Sequence, residues 1–152
     1  EFELQGLYST AELRQWAERA GSKAGMAEYY AELLKQGQLS SVISAVRKNA
    51  ERLSTLLLLA QDPDLELSIR IGVNAVVEEF TGSDTLRAQL PALLELAGDE
   101  EPRVRADACH FLALTHSIQA LAPLQTLSED PERAVQDVAK DSLQELQQVL
   151  QD

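Results

Sequence analysis

The chain has 152 residues, 45% of them hydrophobic, with a formal net charge of −12 and a single cysteine. It is apolar enough to fold as one domain with a real core, so a disordered chain is excluded, and one cysteine excludes an internal disulfide scaffold and a CxxC redox pair. No apolar run reaches the ~18–20 residues that cross a bilayer.

Seven residues are aromatic, against abundant Leu and Ala. That balance favours helices over a β-sandwich, which draws on β-branched and aromatic side chains. The charge is uneven. Residues 1–50 hold six basic and six acidic side chains, so the whole −12 falls in residues 51–152. Such a surface repels nucleic-acid backbones and anionic membranes, and attracts a basic protein. It also serves the plainer purpose of keeping a helical protein in solution.

In chain order, "FELQGLY" (2–8) alternates weakly and reads as a strand or an extended arm. "STAELRQWAERAG" (9–21) carries a capping box, with Ser9 as cap, Glu12 three residues on and Gly21 as stop. "AGMAEYYAELLKQG" (24–37) reads as a helix closed by Gly37. "SSVISAVRKNAERLSTLLLLAQ" (40–61) contains no breaker and is expected to form one long helix capped by Ser40 or Ser41. With the helix before it, this gives a degenerate N-terminal unit. Trp16, Tyr29 and Tyr30 are expected to cover that end. The stretch "GLYSTAELRQW" (6–16) is similar to the last strand and final helix of a thioredoxin-like domain. That resemblance implies the C-terminal part of a redox-fold protein, followed by helical repeats. No thioredoxin active-site residues accompany it, so it assigns no redox role here.

The remainder repeats. Segments starting at Leu53, Leu90 and Leu121 align at offsets of 37 and 31 residues. Leu56, Leu93 and Leu124 share a column, followed by Asp62, Asp99 and Asp130. Further columns are Leu67, Val104, Val135; then Ile71, Ala108, Ala139; then Ala75, Leu112, Leu143. Each unit reads as two helices joined by a polar turn, with Pro63, Pro102 or Pro131 near the second helix and the aligned Asp as its cap. Positions Arg133, Asp137, Lys140 and Gln144 of the third unit are polar where the first two units are apolar or small, as a terminal repeat requires. Leu57 and Leu94 give way to Gln125 in the same sense, and the repeats are expected to end near residue 150.

The pattern "L..LL.LA.D....VR..A...L", fullest at Leu90–Leu114, resembles the HEAT repeats, most closely the short bacterial HEAT-like ones. This resemblance implies an all-α fold, a right-handed α-α superhelix of three to four helix pairs. Residues 1–22 would form an arm and capping helix. Residues 23–152 would form the repeat domain, with units near 40–80, 84–115 and 117–151 and the helix at 24–36 as N-terminal cap. The family often places Arg six residues past the Asp, where the two pair. Only Arg105 stands there. Ser68 and Gln136 hold the equivalent places, so a continuous Asp–Arg ladder is not expected.

Asp107, Cys109 and His110 look like chemistry when read as a string. On a helix, adjacent residues point about 100° apart, so Cys109 and His110 do not share a proton or a metal. Cys109 is expected to be a buried small hydrophobe facing a neighbouring helix pair. His116 is the only other histidine, and two ligands are too few for zinc. Acidic clusters at 62–64 and 99–101 sit at helix starts, where capping explains them. No P-loop, GxGxxG or GxSxG occurs. No catalytic, metal or cofactor-binding residue is assigned.

The expected function is a non-enzymatic protein-docking scaffold. The second helices of such repeats generally line a concave face, which makes Arg70, Asn74, Arg103, Arg105, Asp107 and His110 the partner-facing polar groups. The connector 78–89 with its Gly82 turn is a second candidate. The expected partner is a protein, with a basic one favoured, or another domain of a longer chain; nucleic acid and membrane are not expected. With no signal peptide, the expected compartment is the cytoplasm. Some HEAT-like proteins resemble bilin lyases and others DNA glycosylases, but no lyase motif is present and a glycosylase needs a basic groove.

Overall fold

Residues 23–152, together with 11, 12 and 15, are described by a computed structural model, and among them every regular element is helical. The expected arm, Trp16 and most of the capping helix and of the thioredoxin-like stretch lie outside the described residues. Helix α1 (Lys23–Lys35) ends as its sequence predicts. Gly37 takes φ +80°, and Gln38 N–H bonds back to Leu33 O at 2.8 Å, the left-handed stop that glycine adopts without penalty.

The expected long helix over 40–61 is two helices. Helix α2 (Leu39–Lys48) stops at Asn49, whose backbone is extended at φ −150° and ψ 105°. The Asn49 side chain accepts the Glu51 N–H at 3.1 Å and opens α3 (Glu51–Leu57), which tightens into a 3₁₀ turn over Leu58–Gln61. An asparagine can offer the backbone this alternative to a helix, and breaker counts based on Gly and Pro overlook it. α1 and α2 therefore form a hairpin of their own.

Three more hairpins follow. Helix α4 (Leu67–Glu79) returns along α3. The short α5 (Asp84–Arg87) leads into α6 (Leu90–Ala97) and α7 (Pro102–Leu114). A 3₁₀ turn over Ile118–Ala120 leads into α8 (Leu121–Leu127) and α9 (Arg133–Gln151). Helices α1 and α2 pack on α4, α4 on α7, and α7 on α9. One continuous core runs through all of them, from Tyr30 and Leu33 to Ala139 and Leu146.

The aligned aspartates shape turns rather than cap helices. Asp62, Asp99 and Asp130 each accept the N–H two residues on, at 2.9 Å, before the helix begins. This is an Asx turn, and it fixes how the chain enters the second helix of each hairpin.

Burial also corrects the repeat alignment. Leu67 and Ile71 are 64% and 59% exposed, although Val104 and Ala108, their expected equivalents, are buried. The buried set of α4 is Ile69, Val73, Val76, Val77 and Phe80, matching Val104, Ala108, Phe111, Leu112 and Thr115 of α7. In α9 the matching buried residues are Val135, Ala139, Ser142 and Leu146. The first turn is thus two residues longer than the other two, and the offset between α4 and α7 is 35 rather than 37. Arg70, Arg105 and Gln136 then fall in one column, so the first unit's counterpart of Arg105 is Arg70 and not Ser68.

Candidate functional site

The six residues expected to face a partner lie on α4 and α7, and the structure brings five of them into contacts between neighbouring hairpins. Arg70 grips Asp107 with two bonds, Nε to Oδ2 at 3.1 Å and Nη2 to Oδ1 at 2.8 Å. Arg105 grips Asp130 the same way at 2.8 and 3.0 Å. It also donates from Nη1 to the carbonyls of Asp99 and Glu100, both at 2.9 Å. Its carboxylate partner thus belongs to the following hairpin, and Asp99 contributes only its backbone.

His110 Nε2 lies 3.0 Å from Glu78 Oε2. Arg103 Nη2 reaches the carbonyl of Asp62 at 3.1 Å. Asn74 Oδ1 is buried and meets no hydrogen-bond donor, and neither does the buried Nε of Arg103 meet an acceptor. Each turn carbonyl accepts a side chain, from the next hairpin at Asp62 and from its own hairpin at Asp99 and Asp130. Asp62 O accepts Arg103, Asp99 O accepts Arg105, and Asp130 O accepts Gln136 Nε2 at 2.6 Å.

Charge and burial set the strength of these contacts. The Asp130 side chain is 5% exposed, and Arg105 holds its carboxyl below the usual carboxylate range against the opposing cost of burial. The pairing with Asp130 raises Arg105 in turn. Arg70 is raised by its hydrogen bond to Asp107 in a more open setting.

Cys109 is fully buried, and burial, followed by the negative charge of Asp130, pushes its thiol up to about 12. Only the thiolate attacks or ligates, so this cysteine is held in its inert form. Among the described residues no three His, Cys, Asp or Glu side chains are placed to hold a metal ion.

The connector between α4 and α6 is tied down. Gly82 N–H bonds Leu114 O at 2.8 Å, and Arg87 Nη1 bridges Gly82 O and Thr115 O at 2.7 and 3.3 Å. Gly82 takes φ +71°, and a Cβ there would come within 2.8 Å of His116 Nδ1, so only glycine fits.

What remains open is the face of α4, α7 and α9 turned away from the core. With about 100° per residue, the buried stripe of α4 puts Ile71 opposite it and Leu67 beside Ile71. The equivalent positions are Pro102 and Ala106 on α7, and Arg133 and Asp137 on α9. His110 and Asp141 continue the same rows. Sequence reading missed Leu67 and Ile71 because it placed them in the core. The signal was present, since Ile69, Val73, Val76, Val77 and Phe80 form a stronger apolar stripe than Leu67, Ile71 and Ala75.

No family model, curated protein or solved structure matches this chain. No helix of the described residues is long and apolar enough to cross a membrane.

Proposed function

We propose that this chain is a protein-docking module, a HEAT-like right-handed α-α superhelix that binds through the outward face of its second helices. The observation that carries this reading is the exposure of Leu67 and Ile71, at 64% and 59%, one turn apart on α4. Two large aliphatic side chains on one ridge, each still about 60% exposed, offer about 1–2 kcal/mol each if a partner covers them. Arg103 and His110 of α7 sit partly exposed on the neighbouring ridge, and Asp137 and Asp141 of α9 are exposed beyond it.

The partner is therefore a protein segment, from another chain or another domain of a longer one, with apolar side chains toward α4 and basic side chains toward α9. Of the six polar residues read from the repeat, Arg103 and His110 touch the partner, Arg70, Arg105 and Asp107 are engaged between adjoining helices, and Asn74 is half-buried. The module carries out no catalysis of its own.

The test compares affinity captures with the wild type, with Leu67→Ser/Ile71→Asp, and with Leu94→Ser on a different face as control. A protein lost from the first variant and retained by the control supports the reading. Captures unaffected by Leu67→Ser/Ile71→Asp in a folded protein sink it.

A further inference from the structure

A second place in the molecule has a different chemistry. A cavity of about 490 Å³ opens between α1, α2 and the start of α3. Its wall includes Met26, Tyr29 and Tyr30 of α1, Ser40, Ser44 and Lys48 of α2, and Arg52 of α3. Ser40, Ser44 and Lys48 recur every four residues and so form one ridge along α2. Arg52, three residues past the break at Asn49, lines the same space.

Charge distinguishes this cavity from the rest of the surface. Acidic residues outnumber Lys and Arg by 25 to 13 in the chain, yet among the described residues that line this wall there is no carboxylate. Elsewhere Lys35, Arg47, Arg70, Arg87 and Arg105 each pair with an acid within 4 Å. Neither Lys48 nor Arg52 makes such a pair among the described residues.

Arg52 is half-buried, and its Nη1 donates to Ala45 O at 3.1 Å. That bond fixes the guanidinium without neutralising it. A partly desolvated cation held in place with no counter-charge is a receptor for an anion, and a guanidinium is the group that best matches a carboxylate or phosphate. The opposite wall is formed by the half-buried Tyr29 and Met26, with the buried Tyr30 ring behind Tyr29 at a centroid distance of 5.6 Å and a tilt of 42°. The volume lies within the range of about 300–1,000 Å³ that holds small ligands.

We infer that the cavity between α1 and α2 binds a small organic anion, its carboxylate or phosphate head on Lys48 and Arg52 and its flat apolar body against Tyr29 and Met26. The hydroxyls of Ser40 and Ser44 donate along the same side. This site is separate from the outward face of α4, α7 and α9, and neither reading depends on the other.

The probes are naphthoate, naphthyl phosphate and uncharged naphthol, titrated into the full chain by calorimetry, with Lys48→Glu, Arg52→Gln and Ser44→Trp as variants. Lys48 and Ser44 are exposed, so their replacement leaves the fold intact, which circular dichroism checks; Arg52→Gln is read only if it passes the same check. The expected result is one-to-one binding of an anionic probe, weakened at least about tenfold by Lys48→Glu and by added salt, and blocked by Ser44→Trp. Tighter binding of naphthyl phosphate assigns a phosphate head, and tighter binding of naphthoate a carboxylate; either order upholds the site. Naphthol binding as tightly as the anions, no binding by any probe, or affinity unchanged in Lys48→Glu overturns it.

Discussion

The junction between α7 and α9 and the junction between α4 and α7 place an arginine in the same column and surround it differently. At the first, Arg105 meets an almost fully buried Asp130 that also accepts the Glu132 N–H, and the neighbouring position toward α9 is Cys109, small and fully buried. At the second, Arg70 meets Asp107 with side chains 28% and 13% exposed, and the neighbouring position is Asn74, whose Oδ1 finds no donor. Another contact there, between His110 and Glu78, is largely open to solvent. Repeated hairpins can therefore share a register and still differ in how tightly each is joined to the next. The small residues of α7 and α9 let those helices close over their ion pair, whereas longer polar side chains sit between α4 and α7.

Urea unfolding tests this contrast most strongly at the buried pair. Asp130→Ala leaves Arg105 without its counter-charge and should cost about 3–5 kcal/mol. A loss no greater than that of an exposed salt bridge would mean that water reaches this junction freely. Cys109 reports on the same place. In the wild type its thiol should react with a disulfide reagent about a thousandfold more slowly than in the unfolded chain, and Asp130→Ala should remove much of that protection. Rapid labelling of the native wild type would show that the α7–α9 face is misassigned.

The acid limb of stability should follow from Asp130 in direction. Its folded-state value is lowered, chiefly by Arg105, so its contribution is present above the unfolded value of about 3.9 and is lost as pH falls through the folded value. Asp130→Asn should flatten that limb in pH-dependent unfolding. An unchanged acid slope would assign it to other carboxylates.

At the more open junction, Asp107→Asn should cost about 1–2 kcal/mol, less than Asp130→Ala because solvent screens the remaining charge. Equal losses at both sites would erase the distinction between the junctions. The smallest effect should come from shortening the first turn to the length of the others. Deleting Leu65 and Glu66 should change the unfolding free energy by no more than about 1 kcal/mol and leave Ile69 in the core. A collapse of stability would mean that the longer turn is itself required by α4.

Much of the architecture was legible in the residues: a helical chain, three repeated hairpins joined by polar turns, Gly37 as a helix stop, Cys109 as a buried group, and a polar last face on α9. These follow from local rules, since apolar period, turn chemistry and the φ freedom of glycine act over a few residues. Other features were not legible. Asn49 breaks a run that propensity alone would continue. The register of α4 depended on which of two overlapping apolar stripes met α3, and aligning on Asp62 selected the weaker one. Leu94, expected to be covered like Leu57, is 41% exposed, because coverage depends on what lies across the helix.

The candidate sites divide along the same line. That Arg70, Asp107 and Arg105 were the polar groups worth attention could be read from the repeat. That Arg70 and Asp107 join each other, that Arg105 reaches forward to Asp130, and that Lys48 and Arg52 share a cavity with two tyrosines could not. Side chains 37, 25 or four residues apart meet according to how hairpins pack, and the sequence carries that information only through the core it must fill. The sequence alone determined the periodic, helical and acidic character of this protein. Tertiary packing decided which of its charges are buried, which are paired, and which remain available to a ligand.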